Sequence, residues 1–285
     1  MITSSVFNIN NHTNNNETFV ISFTTSPTRI HKCQPMLNSI LKQSRQADLI
    51  LLNIPHIFNR TGKEYVVPDD VSEHVCVNKI KIDYGPATKI IPTIDFLNKH
   101  GYDKNNTRII YLDDDIKYPH HMIKSYEKII KDTDNSVWTA TGFNFINLKI
   151  IGERRHGSNA MIAEGYGGVC VKLSTFEEDF YTYINKYIND LNCRLSDDIL
   201  LSNYYHKKNI PIRIINISNN YSVIDMWHND SILDYGNQSD ALHNGADGIS
   251  NTNVERYNKV ILLLGKEKER YLKLFFIQDG KVIKR

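Results

Sequence analysis

The stretch Arg108-Ile109-Ile110-Tyr111-Leu112-Asp113-Asp114-Asp115 decides how this chain is read. Ile109 to Leu112 is an unbroken apolar run, which suits a strand buried on both faces. Three aspartates follow at once, where such a strand leaves its sheet. Like charges clustered beside a core are costly unless they are neutralised. Side chains alternate along an extended backbone, so Asp113 and Asp115 point to one side and Asp114 to the other. Two carboxylates converging beyond a strand end suit a hard cation, Mg²⁺ or Mn²⁺, which prefers oxygen ligands. An acidic strand-to-helix turn that simply stays solvated would have the same local sequence.

Outward from this stretch, apolar runs alternate with helical patterns. Phe19-Val20-Ile21-Ser22-Phe23 is expected as the first strand, followed by the loop Thr24-Thr25-Ser26-Pro27-Thr28-Arg29. Pro35 opens a helix whose buried face carries Met36, Leu37, Ile40 and Leu41. Residues 49–54 form a second strand ended by Pro55, and residues 75–82 a third. A helix over 88–100 is closed by Gly101, with an early kink at Pro92. After the aspartates comes a helix over 119–131. This order predicts an α/β fold, a mostly parallel central sheet flanked by helices. Ligands of such sheets bind in the crevice beyond the carboxyl ends of the strands, where the aspartates lie.

Past residue 137 the pattern loosens. Two β-like runs fall within 137–151 and another at 167–171. Helices are expected over 174–192 and 196–208, and a strand over 213–217. Residues 225–251 form a long polar loop, and long loops are often functional. A last helix over 253–276 carries Val260, Leu263, Leu264, Leu272 and Phe275. Residues 1–17 are polar and Asn-rich and read as a flexible tail, with neither the basic nor the apolar part of a signal peptide. No repeat or low-complexity linker divides the rest, so 18–285 is expected as one domain. Its donor half covers about 18–135 and its acceptor half about 136–250.

Composition narrows the class. The chain has 285 residues, 41% hydrophobic and 23% charged, enough for a substantial core. The formal net charge is +2 and both signs are spread along the sequence, which argues against a nucleic-acid groove or an anionic membrane surface as partner. No apolar run approaches the roughly 20 residues that span a bilayer. The four cysteines are far apart with no CxxC pair, favouring reduced thiols over zinc or a disulfide framework.

Four further segments carry candidate chemistry. In Ser196-Asp197-Asp198-Ile199-Leu200, Ser196 can be an N-cap with two acids complementing the helix dipole, or a carboxylate can take a proton from an acceptor hydroxyl; one helix start can do both. Glu164-Gly165-Tyr166-Gly167-Gly168 allows close approach of backbone to a ligand, or a plain turn. In Asp83-Tyr84-Gly85-Pro86-Ala87-Thr88-Lys89, Lys89 meets a phosphate together with free N–H groups or faces solvent. His228 and His243 lie in the polar loop, where an imidazole can complete a site of carboxylate and phosphate oxygens or stay solvated.

Taken in order, the loop at 24–29 and the segments 83–89, 112–115, 164–168 and 196–199 resemble the nucleotide-diphospho-sugar transferases of the GT-A fold, over about residues 19–248. The resemblance implies a metal-dependent glycosyltransferase moving a sugar from a nucleotide-sugar donor, such as a UDP-sugar, to a glycan or other hydroxyl acceptor. It implies Mn²⁺ or Mg²⁺ held by Asp113 and Asp115, the Asp-x-Asp element, with a C-terminal histidine, His243 rather than His228, completing the shell. Thr24, Ser26 and Arg29 would touch the nucleoside, Asp83 its base, Lys89 the phosphates, and Asp113 and Asp114 the donor nucleotide. Glu164, Gly167 and Gly168 would border the donor or acceptor sugar. Asp198 maps onto the base of inverting members; Asp stands where Glu is usual in this pair, so Asp197 is the other candidate. The membrane anchor of secretory-pathway members is missing, which implies a soluble cytoplasmic enzyme, in the host cytoplasm if viral, building glycans of a microbe or virus.

Two other classes fit parts of the pattern. A sugar-1-phosphate nucleotidyltransferase also uses aspartate-bound Mg²⁺, but usually with a Gly-rich loop after its first strand, and the loop at 24–29 has no glycine. A catalytically inactive glycan-binding domain would not need acids at both sites.

Overall fold

In a computed structural model of the chain, β1 (Thr18–Phe23) pairs in parallel with β2 (Leu49–Pro55), and α1 (Gln34–Leu41) links them. The structure describes residues 17–130, 135–153, 155–215, 252–278 and 281–284. A small hairpin, β3 (Ile57–Phe58) and β4 (Lys63–Glu64), precedes the short α2 (Asp69–Ser72) and β5 (Cys76–Ile80), which pairs in parallel with β2. After α3 (Ile91–Lys99), β6 (Thr107–Leu112) returns to the other side of β1, again in parallel. Then come α4 (Met122–Ile129), β7 (Val137–Thr139), β8 (Gly142–Ile146), β9 (Lys149–Glu153), β10 (Asn159–Ala160), β11 (Ile162–Ala163) and β12 (Val169–Lys172). Three helices follow, α5 (Asp179–Tyr187), α6 (Leu191–Arg194) and α7 (Asp197–Lys207), and then β13 (Ile212–Ile214), α8 (Asn253–Lys266), β14 (Phe275–Gln278) and β15 (Lys281–Lys284).

The large sheet has eight strands in the order β10-β13-β7-β12-β6-β1-β2-β5. It is mostly parallel, as expected, with β12 inserted antiparallel between β6 and β7 and β10 antiparallel at the edge. A second sheet joins β8 to β9, β11 and β14, and β15 extends it beyond β14. Both faces of the large sheet are covered, and β6 shows why the sequence requires it. Ile109 and Tyr111 join a core on one face with α3, α5, α7 and α8. Ile110 and Leu112 join a second core on the other face with α1 and α4. An alternating strand would have left one of these faces wet. Among the described residues no helix is long and apolar enough to cross a membrane.

Several expected boundaries are corrected. The helix expected over 88–100 is a 3-10 turn, Gly85–Lys89, followed by α3, and Pro92 sits in the first turn of α3, where its missing N–H costs nothing. The helix over 119–131 shortens to α4. The helix over 174–192 splits into α5 and α6, because the Asp190 side chain accepts from Cys193 N at 2.9 Å and starts a new helix. Residues 167–171 divide between a 3-10 turn, Gly165–Gly167, and β12. The last helix ends at Lys266, ten residues before its expected end at 276. Lys268 adopts φ +56°, and Glu269 N donates to Leu264 O at 2.9 Å, a left-handed cap. Leu272 and Leu274 are buried beyond it, and Phe275 pairs with Ile146 as a strand. Apolar spacing alone did not separate a helix face from this short strand.

Candidate functional site

A cavity of about 460 Å³ opens at the carboxyl ends of β1, β2, β5 and β6. It gathers Thr24, Ser26, Arg29, Asp83, Lys89, Asp113, Asp114, Asp115, Glu164, Asp197 and Asp198, although they lie on both halves of the chain. Gly167 and Gly168 are not among its lining residues. His228 and His243 lie outside the described residues, as do the loop at 225–251 and the tail up to residue 16.

The aspartate triplet leaves β6 in a turn rather than on extended backbone, so the expected alternation is not kept: all three residues line the cavity, and Asp114 and Asp115 meet the same Arg29 nitrogen. Asp114 is buried, while Asp113 and Asp115 are partly exposed toward the cavity. Asp114 accepts from Thr25 Oγ1 and from Arg29 Nη2, both at 2.5 Å. Arg29 Nη2 also meets Asp115 Oδ2 at 2.7 Å. Burial by itself pulls the Arg29 guanidinium down, but Asp114 and Asp115 outweigh it and hold it above its usual range. Burial pushes the Asp114 carboxyl up while Arg29 pulls it down. Asp114 is therefore an anchor for Arg29 and the 24–29 loop. The other loop residues are also tied locally: Thr24 Oγ1 donates to Asn53 O at 2.8 Å, and the Ser26 and Thr28 hydroxyls are 3.0 Å apart.

Lys89 neither faces solvent nor stands free for a phosphate. It is 3% exposed, and its Nζ lies 2.7 Å from Asp113 Oδ1 and 2.9 Å from Asp197 Oδ2. One ammonium thus joins the two acidic motifs. Burial alone would lower its pKa, but Asp113, Asp197 and Asp198 together hold it well above the usual range. Its backbone is fixed from below, because Ser22 Oγ donates to Lys89 O. Asn53 Nδ2 donates to Ser22 Oγ at 3.0 Å and to Thr93 Oγ1 at 2.7 Å, and Asn78 Nδ2 donates to Asn53 Oδ1 at 2.8 Å. Ser22 and Asn53 are polar residues flanked by apolar ones in buried strands. Such residues need partners, which is the signal by which the sequence could have revealed them.

The glycine segment serves the protein's own side chains. Gly165 N donates to Asp198 Oδ1 at 2.9 Å, setting that carboxylate's orientation. A Cβ on Gly165 would stand 2.4 Å from Lys89 Nζ, and one on Gly167 would stand 2.3 Å from Thr141 Oγ1. Gly168 adopts φ +74°, left-handed backbone that glycine enters without strain. The Tyr118 hydroxyl accepts from Asp113 N at 3.0 Å and lies 3.2 Å from Tyr166 O, joining the triplet to this segment. Gly165→Ala is therefore expected to push Lys89 off its carboxylates and to cost about 1–3 kcal/mol. Gly152→Ala, where an added Cβ meets nothing within 4 Å, is the control. Urea melts of both variants check this, and equal midpoints would mean that Lys89 gives way freely.

The second acidic motif also differs from a plain helix start. Ser196 occupies the N-cap position of α7, but its hydroxyl makes no capping hydrogen bond. Asp197 is buried against Lys89, whereas Asp198 is half-buried and lines the cavity. Burial pushes the Asp198 carboxyl well above the usual carboxylate range; Asp197 adds to this and Lys89 opposes it. Asp83 is held on both oxygens, accepting from Asn59 N at 2.8 Å and Gly85 N at 2.7 Å. It therefore ties the hairpin region to the turn that carries Lys89. Sequence reasoning missed Arg194, Asn253, Arg256 and Tyr257, which form the wall contributed by α6 and α8.

No protein-family model matches the chain, and no curated protein matches it.

Proposed function

We propose that the chain is a glycosyltransferase of the GT-A kind, moving a sugar from a nucleoside-diphosphate donor, a UDP-sugar in the first instance, to a hydroxyl acceptor. The observation that carries this reading is the convergence of Asp113 and Asp115 with Asp197 and Asp198 on one cavity beyond the carboxyl ends of parallel strands. That is where α/β sheets bind nucleotides.

Among the described residues no group of three His, Cys, Asp or Glu side chains could hold a metal. Two carboxylates are nevertheless a sufficient protein contribution for Mg²⁺ or Mn²⁺, whose remaining positions are filled by substrate phosphates and water. Asp113 and Asp115 are the two partly exposed carboxylates of the triplet, and both already hold positive groups, Lys89 Nζ and Arg29 Nη2. They fit the ion. When bound, it supplies charge neutralisation for the leaving diphosphate.

The chain's own residues supply the rest. Asp197 is buried against Lys89, whereas Asp198 is partly exposed to the cavity, and that exposure favours Asp198 as the base. Its raised pKa favours proton uptake from an acceptor hydroxyl. The Gly165 N–H keeps the carboxylate turned the same way as the proton arrives. Arg29, fixed by Asp114, holds the nucleoside-side loop in place. A nucleotidyltransferase is less well supported, since the loop after β1 lacks glycine and its arginine is already paired to two carboxylates.

Calorimetric titration of UDP in the presence of Mn²⁺ tests the metal site. Asp113→Asn and Asp115→Asn are each expected to weaken binding by about 10–100-fold, the range seen even for outer partners of metal ligands. Asp114→Asn is expected to lower the melting temperature instead, because its bonds run to Thr25 and Arg29 within the protein. Unchanged affinity in both outer variants removes the metal from Asp113 and Asp115. Release of pyrophosphate from a sugar phosphate and a nucleoside triphosphate would favour the nucleotidyltransferase.

A further inference from the structure

Resting on the proposed glycosyl transfer, we infer that Arg194 is an anion-binding residue of the cavity, taking a phosphate or carboxylate group carried by the substrate. Lys89, the cation that sequence reading offers for phosphate, is buried between two carboxylates. Arg29 is likewise held by Asp114 and Asp115. Arg194 lines the same cavity from α6 and takes part in no ion pair among the described residues.

The chain is shaped to hold this side chain. Gly85 adopts φ +63°, and a Cβ there would meet Arg194 O at 2.9 Å and Arg194 Cγ at 3.1 Å. A glycine at this turn therefore gives the arginine stem its seat. The same turn is locked by Asp83, which accepts from Gly85 N at 2.7 Å. On the other side, Arg194 N donates to Asp190 O at 2.8 Å, inside the helix capped by Asp190. The backbone of Arg194 and the base of its side chain are thus held before any ligand arrives. A guanidinium presents a planar fork of donors that matches carboxylate and phosphate oxygens in pairs. Arg256, on α8, lines the same cavity and donates to Asn253, so two guanidinium-bearing residues come from the α6–α8 side.

The test uses the full chain and two probes, pyrophosphate for a phosphate source and glucuronate for a carboxylate source, titrated by calorimetry. Arg194→Gln is expected to weaken at least one of them by tenfold or more, about 1.4 kcal/mol at that ratio. Arg155→Gln, an arginine whose side chain is 84% exposed, is expected to change neither. Loss of pyrophosphate alone assigns Arg194 to the donor's diphosphate, and loss of glucuronate alone assigns it to an acidic sugar. If neither probe binds the native protein, or if both bind Arg194→Gln as before, the inference is overturned. A native protein that binds pyrophosphate through Arg194 but never UDP with Mn²⁺ would instead sink the glycosyl-transfer reading and leave the anion site standing.

Discussion

Asp198→Asn is expected to reduce transfer by about 10²–10⁴-fold, the usual contribution of a positioned base, while UDP binding with Mn²⁺ stays near native. The amide keeps the size of the carboxylate and still accepts from Gly165 N, but it takes up no proton. Stability separates this loss from misfolding. Burial raises the Asp198 pKa in the folded state above its value in the unfolded chain. The folded state therefore binds the proton more tightly, and ionising the group costs stability as pH rises between those two values. Removing the charge relieves that cost, so the melting temperature of Asp198→Asn should equal or exceed native at pH 8 and approach it at low pH. Native transfer rates in this variant would remove Asp198 from the mechanism. NMR of the product gives a second check: a linkage that keeps the donor's anomeric configuration would rule out a single displacement with a base opposite the leaving group, by analogy with glycoside hydrolysis.

Lys89→Met should be among the most destabilising single changes in the chain, at about 3–5 kcal/mol, the range for removing one partner of a buried ion pair. Most of this would come from Asp197, whose side chain is 8% exposed, because Asp113 is 35% exposed and water screens part of its charge. Urea unfolding should show a lower midpoint with an unchanged slope. Lys89→Met combined with Asp197→Asn should lose less than the sum of the two, since the second change removes the charge stranded by the first. A loss below about 1 kcal/mol would show that the pair is solvated and that Lys89 does not join the two motifs.

The sequence revealed most clearly what depends on local pattern. The apolar runs in β1, β2 and β6 were long enough to declare strands buried on both faces, and the triplet at the end of β6 announced a charged site beside the core. Asp197 and Asp198 were visible as an acidic helix start. Partnership was not visible. A lysine in a Gly-Pro turn looks solvated, and Lys89 is buried only because Asp113 and Asp197 arrive from distant parts of the chain. The bonds of Asp83 and Ser196 were equally invisible. Asp83 spends both oxygens on backbone donors, and Ser196 takes the cap position without making the capping bond. Arg194 falls between the helices expected over 174–192 and 196–208, and Tyr257 sits on a helix whose local pattern reports only helix. Their place in the cavity follows from how α6 and α8 pack together and against α7.

The position of β1 has a consequence for synthesis. It is the earliest described strand to be made, yet it lies inside the sheet between β2 and β6. Its pairing with β6 must wait until Leu112 has emerged, and the cavity wall that includes Tyr257 is supplied by α8 later still. A growing chain thus carries the 113–115 carboxylates before Asp197 and α8 exist to close the space around them. Closure of the cavity then waits for α8, and a fragment cut anywhere before Tyr257 lacks part of the cavity wall however well its strands pair.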